Sequence, residues 1–378
     1  MDRDPFESIR KHFDALPDPR VEGRCEHRLI DMLCVALAAV LCGANGWNEV
    51  ETFGKEKEGW LRQYLELPNG IPSHDTFGRV FGLLDAEAFE RHFADWVEGV
   101  LRRTRGQVIA VDGKTARRSH DRTIGKDALH MLSAWASANR LVLGVRKVED
   151  ASNEIPAIPQ LLRVLDLMGC VVTIDAIGCQ KEIAQTIRDR KADYILAVKE
   201  NQGHLYDDIW EWFAYAHQVA FMDMPHTSHQ TINKVSGRIE TRRCWAIADP
   251  NAFEHIRHYQ GWADLQTIIM LQNERRLGDQ TQTDTRYYIS SLPPDAQHLL
   301  ECVRQHWSIE NTCHWTLDVV FREDDSRIRS GHAPRNFALL RRLALNLLKQ
   351  DVTKGSLTQK RFRAALNHDY LTQLLAQV

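Results

Sequence analysis

The chain has 378 residues and a formal net charge of −3, with 43% hydrophobic and 26% charged residues. This composition is typical of a globular protein and excludes a disordered, fibrous or collagen-like chain. The apolar run MLCVALAAVLC at residues 32–42 is shorter than the about 20 residues that a membrane-spanning helix needs. The charged N-terminus shows no apolar signal-peptide core, and the eight cysteines form no CxxC pair. We therefore expect a cytoplasmic protein with reduced thiols and no membrane partner.

Positive charge is concentrated near the C-terminus. Residues 327–363 contain ten Lys or Arg and one acid, a net charge of +9, so the rest of the chain must carry −12. A separation of this size favours a polyanionic partner that binds one surface. The alternative is a solvated helical face.

The first part of the chain, residues 1–104, is predicted to be a helical accessory or DNA-binding domain. Apolar residues recur at helical spacing in several segments. Ser73 and Asp85 precede two of these segments and are suitable N-terminal caps. The predicted helices cover residues 32–41, 49–64 and 75–84 and the segment after Asp85.

The pattern changes after residue 105. Three strand-length apolar runs are followed by helix, strand, helix and strand, an order typical of a mixed α/β sheet. The runs predicted as strands are residues 108–111, 131–136, 141–145, 171–174 and 194–198. A second strand-rich stretch covers about 228–292, and helices return from Asp295 onward.

Two aspartates follow apolar runs in this region, Asp112 and Asp175. If their strands are neighbours, both carboxylates emerge at one edge of the sheet, where they repel each other unless a proton or a cation intervenes. Hard oxygen ligands suit Mg²⁺ or Mn²⁺, and two such ions can support phosphoryl transfer. The alternative is that each aspartate caps the element that follows it.

A third acid, Glu310, is predicted on a helix. His306, Glu310 and His314 are four residues apart and would share one helical face. The order is not HExxH, and zinc held by His306, Cys313 and His314 fits no standard site. Rival candidates for the third acid are Asp318, Glu323 and Asp324.

Four sequence blocks resemble the DDE transposases of bacterial insertion sequences, in particular the ISAs-type group with the H-repeat-associated proteins. These blocks are VDGKT at 111–115, TIDAIGCQKEIA at 173–184, YILAVKENQ at 194–202 and HWSIENTCHWTLDVVFREDDSRIR at 306–329. The resemblance implies an RNase H-like core with a β-rich insertion. The expected division is a helical domain at 1–104, the core at 105–225 and 295–350, the insertion at 226–294 and a helical tail at 351–378.

The resemblance also implies a function. Asp112, Asp175 and Glu310 would bind Mg²⁺, with Mn²⁺ as a substitute, and cleave and transfer DNA strands at the ends of a mobile element. Expected partners are double-stranded DNA with terminal inverted repeats, target DNA and a second copy of the chain, which places the protein on the nucleoid. Two alternatives stay open: a catalytically idle DNA-binding relic and a nuclease on the same fold.

Supporting residues are expected around these acids. Glu154 is a candidate auxiliary ligand or an acid at a helix N-terminus. The residues expected to contact DNA, with solvated charge as the alternative, are Lys114, Arg117, Arg118, Lys181, Lys199, His306, Arg327 and Arg329. The broader insertion-sequence pattern of Tyr, Arg, Glu and Lys is not kept, because Val303, His306 and Leu317 occupy the three positions around Glu310. A phosphate-binding loop ending at Lys114 is excluded because Val108 occupies the required glycine position.

Overall fold

The computed structural model describes residues 4–100, 107–120, 127–149, 153–235 and 237–377. Within these ranges six helices precede the first strand, and the predicted boundary at residues 104 and 105 lies outside the described residues. Ser73 Oγ accepts a hydrogen bond from the Thr76 amide (3.3 Å) and Asp85 Oδ1 accepts one from the Glu87 amide (2.9 Å), so both predicted caps are present. The six helices are α1 (Glu7–Phe13), α2 (Leu29–Leu41), α3 (Trp47–Glu56), α4 (Glu58–Leu61), α5 (His74–Leu83) and α6 (Ala86–Val100).

Nine strands of the described chain form one mixed sheet. They are β1 (Val108–Ala116), β2 (Leu129–Ala136), β3 (Leu141–Lys147), β4 (Val171–Ile174), β5 (Asp193–Val198), β6 (His226–Val235), β7 (Arg238–Ile247), β8 (Thr267–Leu277) and β9 (Gln280–Ser290). Their spatial order is β3-β2-β1-β4-β5-β9-β8-β7-β6. The second strand-rich stretch therefore extends the same sheet, because β9 pairs antiparallel with β5 through Leu196 and Ile289. The predicted mixed α/β architecture is confirmed.

The pairing of β1 positions the first aspartate. β1 runs parallel to β4 as far as the pair Val111 and Ile174, and antiparallel to β2 as far as Ala116. The prediction that Asp112 ends its strand is wrong, because Asp112 pairs with Ser133 of β2 and the strand continues beyond it. Asp175 directly follows the end of β4. The two aspartates therefore emerge side by side where β4 ends.

Nine further helices follow among the described residues. They are α7 (Ala157–Arg163), α8 (Lys181–Asp189), α9 (Gly203–Gln218), α10 (Pro250–His255), α11 (Ala296–His306), α12 (Trp315–Val319), α13 (Ala333–Gln350), α14 (Leu357–Leu366) and α15 (His368–Leu375). Helix α13 is buried from Ala333 to Leu348 and contacts α2, α5, α6 and β3. It joins the N-terminal helices to the sheet, and one hydrophobic core extends across both.

Much of the positive charge of residues 327–363 lies inside the protein. Arg335, Arg341, Arg342, Lys360 and Arg361 are buried. The interpretation of this segment as a single basic surface is therefore wrong, since half of its ten basic residues point into the core. A buried guanidinium needs acceptors, and Arg335 has them in both Glu90 oxygens, at 2.6 and 2.7 Å.

All eight cysteines are unpaired and six of them are buried. Within the described ranges, no helix combines the length and the apolar character needed to cross a membrane.

Candidate active site

Three acids predicted from the sequence line one open cavity of about 790 Å³. Asp112 enters it from β1, Asp175 from the end of β4, and Glu310 from the helical segment that follows α11. Lys199, at the end of β5, and His306 also line this cavity. The structure thus brings together residues that are up to 198 positions apart in the sequence.

The acids in this cavity influence one another electrostatically. Burial raises the pKa of Asp112 to about 8, and the negative charges of Asp175, Glu310 and Glu154 act in the same direction. Burial and the charge of Glu154 also raise the pKa of Asp175, against the opposing charge of Lys199. Carboxylates that are crowded in this way favour a bound proton or a cation.

Asp175 also has a structural contact. Its Oδ1 accepts a hydrogen bond from the Ile177 amide at 3.2 Å and caps the short 3₁₀ turn Ala176–Gly178. The capping alternative considered for this aspartate is therefore realised. It does not exclude a second role, because the side chain still lines the cavity.

Glu310 lies in a π-helical segment, Ile309–His314, between α11 and α12. A π turn contains more residues than an α turn and often occurs at functional sites. His306 ends α11 before this segment, and its Nδ1 lies 3.0 Å from the Thr173 hydroxyl. His314 ends the segment, and its Nδ1 lies 3.5 Å from Asp112 Oδ2. The simple i, i+4 face predicted for these residues is replaced by a distorted turn around Glu310.

Both of these histidines are neutral near pH 7. Burial lowers the pKa of His306 to about 4 and that of His314 to about 3, the latter with help from the positive charges of Arg342 and Lys114. His306 was predicted to contact DNA; a neutral imidazole could do so by a hydrogen bond and not by charge. His314 places an uncharged ring beside Asp112.

Glu154 lies near both aspartates and is held by His130. The Glu154 Oε1 and the His130 Nε2 are 2.6 Å apart, and the His130 Nδ1 is 2.7 Å from the Thr115 hydroxyl. Sequence analysis did not identify His130. It is the one imidazole in the otherwise largely apolar run LHMLSAWA of β2, and that polar interruption is the signal that could have drawn attention to it.

The rival acids surround Lys114. The Lys114 Nζ lies 2.6 Å from Asp318, 3.1 Å from Asp324 and 3.8 Å from Glu323. Glu323 also accepts from Arg342 at 2.7 Å. Lys114 is only 8% exposed, so its ammonium group is directed into the protein. This placement disfavours the predicted contact of Lys114 with a DNA phosphate.

The other predicted DNA-contacting residues lie at the surface. Arg117 pairs with Asp324 at 3.3 Å, and Arg118 pairs with Asp325 at 3.2 Å. Lys181 lies 5.9 Å from the centroid of the Trp262 ring. Lys181, Lys199, Arg327 and Arg329 are all exposed.

The donor chemistry of the cavity fits a hard divalent cation better than zinc. Three carboxylates line the cavity, and positive charge would relieve their mutual repulsion. In the part of the chain that the structure describes, no three His, Cys, Asp or Glu side chains are already grouped to hold a metal ion. The alternative zinc set is disfavoured because Cys313 is fully buried, which raises its pKa to about 12.

Two family models match the chain. One, described as DDE_Tnp_1-associated, covers residues 10–97, and the other, described as Transposase DDE domain, covers residues 103–347. The chain belongs to the insertion-sequence DDE transposase family. It is therefore a transposase, and the family recognised from the four sequence blocks is confirmed.

Individual relatives agree with this assignment. The provisionally named transposase YncI of Escherichia coli O157:H7 is 40% identical over 374 residues, which cover 98% of this chain and 95% of the relative. The provisionally named H repeat-associated transposase YhhI of Escherichia coli strain K12 is 36% identical over 376 residues, 98% of each chain. A solved piggyBac transposase synaptic complex with hairpin DNA gives a TM-score of 0.42 at 10% identity, covering 99% of this chain and 81% of that one. That score is too low to support an argument.

Proposed function

We propose that this transposase cleaves DNA at the ends of its mobile element and joins the resulting 3′ ends to target DNA, with Asp112, Asp175 and Glu310 as the metal-binding catalytic residues. The supporting observation is that these three acids line one cavity and that Asp175 and Glu310 raise the pKa of Asp112. The strand order and the position of the acids are consistent with an RNase H-like core.

Each residue of the cavity has a part in this proposal. Bound Mg²⁺ or Mn²⁺ would help to activate the attacking oxygen and to stabilise the leaving oxygen. Asp112 and Asp175 hold the cation site from the sheet, and Glu310 completes it from the π-helical segment. Lys199 is exposed at the cavity wall and is suited to a phosphate oxygen of the substrate. The neutral His306 and His314 add no positive charge that would compete with the cation.

The partners follow from this chemistry. The substrates are double-stranded DNA with terminal inverted repeats and a target duplex. Two DNA ends have to be handled together, so we propose a homodimer on DNA, located on the nucleoid in the cytoplasm. The helical N-terminal part, residues 1–104, is proposed to be an accessory DNA-binding domain.

A strand-transfer assay with an end-bearing duplex, a target plasmid and Mg²⁺ tests the proposal. The variants Asp112→Asn, Asp175→Asn and Glu310→Gln remove charge with little change of shape. Each is expected to abolish cleavage while DNA binding remains. Glu301→Gln on α11, an exposed acid bonded to Gln297 at 3.2 Å, is the matched control and should cleave normally.

The same assay separates the alternatives. Joined products support the transposase reaction, cleavage without joining indicates a nuclease, and binding without cleavage indicates an idle relic. Mn²⁺ should replace Mg²⁺, and EDTA should stop cleavage. Full cleavage in EDTA would contradict the assignment of the three acids as metal ligands.

A further inference from the structure

We call the cavity that contains Asp112, Asp175 and Glu310 the acidic cavity. A second cavity of about 760 Å³ adjoins it and is lined by arginines. It lies between the outer parts of β7, β8 and β9 and the C-terminal end of α11. Five arginines line it: Arg238, Arg242, Arg275, Arg286 and Arg304. We call this cavity the arginine groove.

The register of the strands explains why the arginines gather there. Glu240 of β7 pairs with Arg275 of β8, and Leu271 of β8 pairs with Arg286 of β9. Side chains opposite each other in antiparallel strands share a face, and alternate residues of a strand share a face. Arg238, Glu240 and Arg242 therefore project from the same face as Arg275 and Arg286.

The same face is apolar closer to the core. There, Cys244, Ile269 and Tyr288 are buried with Leu299 and Val303 of α11. Beyond the end of α11 the strands continue, and the face becomes rich in arginine. The face changes from apolar to arginine-rich where α11 stops covering the sheet. The arginines are therefore not part of the hydrophobic core.

Positive charge exceeds negative charge in the groove, because five arginines line it and three acids do, Glu240, Glu274 and Asp284. Arg238 and Arg275 lie 2.7 and 3.7 Å from Glu240, and Arg242 also pairs with this glutamate. Three guanidinium groups thus surround one carboxylate. Arg286 pairs with Asp284 at 2.6 Å, and Arg304 adds a further positive charge from α11. Guanidinium groups present several parallel N–H donors, a geometry suited to phosphate oxygens.

The arginine groove and the acidic cavity share a wall. Arg286 and Trp307 line both cavities, and the Arg286 guanidinium lies 4.7 Å from the centroid of the Trp307 ring. Trp307 is 37% exposed. A polyanion lying in the groove would therefore continue past this pair into the cavity that contains Asp112, Asp175 and Glu310.

We propose that the arginine groove binds the phosphodiester backbone of the DNA strand next to the bond that is cleaved. This inference rests on the proposed function, which places the scissile phosphate in the acidic cavity. The extended strands β7–β9 would then hold the substrate DNA. Phosphate contacts of this kind position a strand without reading its sequence.

Neighbouring arginines on the same strands provide a matched test. Arg242→Gln with Arg275→Gln removes two charges from the groove. Arg243→Gln with Arg276→Gln removes two charges from the opposite face, because Arg243 pairs with Gln272 and Arg276 pairs with Ile239 in the register. Fluorescence anisotropy with an end-bearing duplex is measured for both pairs across a series of salt concentrations. Thermal melts accompany each measurement.

The groove pair is expected to weaken DNA binding. The slope of log affinity against log salt should become shallower by about two, because each arginine that is replaced no longer neutralises a phosphate. The control pair should retain the wild-type slope. Arg304 lies outside the group of arginines around Glu240. If the double variant has a lower melting temperature than the wild type, Arg304→Gln tests the groove in its place. Its slope of log affinity against log salt should become shallower by about one. Equal reductions in both pairs, or unchanged binding by Arg304→Gln and the groove pair, would overturn the proposal.

The outcome can be separated from a failure of the proposed function. If Glu310→Gln abolishes cleavage but the groove variants bind DNA normally, the proposed function stands and the groove assignment is wrong. If the groove variants no longer bind DNA and Asp112→Asn still cleaves, the groove binds DNA and the assignment of the catalytic acids is wrong.

Discussion

The His130 imidazole and the Glu154 carboxylate, joined by a 2.6 Å hydrogen bond, lie where a side chain at position 113 would have to be. A Cβ on Gly113 would overlap the Glu154 carboxylate and lie 2.6 Å from His130 Nε2. The glycine next to Asp112 is therefore needed for space and not for a positive φ angle. Because Gly113 has no side chain, the Glu154 carboxylate can approach Asp112 and Asp175.

Gly113→Ala should disturb this arrangement. The added methyl group has to displace Glu154, His130 or the β1 backbone, and such overpacking destabilises proteins by about 1–3 kcal/mol. We expect a lower free energy of unfolding in urea and a loss of cleavage, with DNA binding retained. Gly203→Ala is the control, because a Cβ there meets no atom within 4 Å. Wild-type cleavage and stability in Gly113→Ala would show that the site tolerates the displacement.

The raised pKa of Asp112 predicts how stability depends on pH without metal. The folded protein keeps the Asp112 proton up to about pH 8, whereas the unfolded chain releases it near pH 4. The stabilising contribution is thus complete below about pH 4 and is lost as the pH rises towards 8. In EDTA, the free energy of unfolding of the wild type should fall most clearly between about pH 6.5 and 8, because at lower pH the lowered pKa values of His306 and His314 act in the opposite direction.

Asp112→Asn cannot titrate, so its free energy of unfolding should vary less over the same pH interval. The measurement is urea denaturation in EDTA at a series of pH values, with Asp189→Asn on α8 as an exposed control. Mg²⁺ should remove most of the wild-type slope, because the cation replaces the proton between the carboxylates. Parallel curves for the wild type and Asp112→Asn would contradict the prediction.

The sequence was sufficient for the sheet and for two of its acids because both depend on local pattern. Apolar runs mark β1 and β4, and because these parallel strands are neighbours, Asp112 within β1 and Asp175 after β4 lie side by side. The choice of Glu310 over Asp318, Glu323 and Asp324 needed the family resemblance. The position of an acid along the sequence does not show whether it lies beside β1 and β4. The π-helical segment could not be predicted, because it depends on the contacts of α11 and of the segment itself with β1 and not on the spacing of residues.

The charged residues of the C-terminal part were harder to place. Composition gives the net charge of residues 327–363 but not the direction of each side chain. Burial of Arg335 and Arg342 depends on Glu90 and Glu323, which lie elsewhere in the sequence. The arginine groove was missed for the related reason that its residues are separated along β7, β8, β9 and α11 and form a patch only through strand register.

Lys114→Met tests the ion-pair cluster beside the site. Removal of the ammonium group leaves Asp318, Asp324 and the buried Glu323 with less positive charge, and breaking a buried ion pair typically destabilises a protein by about 3–5 kcal/mol. We expect a much lower melting temperature and an unchanged salt slope of DNA binding. Arg117→Gln is the control, because the side chain of Arg117 is 82% exposed. A stable Lys114→Met with weakened DNA binding would restore the phosphate contact first predicted for Lys114.

The pair of Arg335 and Glu90 tests whether the positive C-terminal segment serves the fold. Arg335 of α13 donates to both oxygens of Glu90 in α6, and both side chains are buried. Arg335→Met removes both hydrogen bonds of the buried Glu90 carboxylate and leaves it the Arg146 guanidinium, 3.7 Å away, so it should destabilise the protein by about 3 kcal/mol. Glu90→Gln together with Arg335→Met should recover part of that stability, since neither charge then remains alone.

Urea denaturation of the two single variants and the double variant measures this coupling, and DNA binding is followed against salt in parallel. The exposed Arg327→Ala is the comparison for charge alone, and its stability should stay within about 0.5 kcal/mol of the wild type. If Arg335→Met is as stable as the wild type but binds DNA with a shallower salt slope, the buried ion pair is not what holds α13 against α6, and the segment acts on DNA after all.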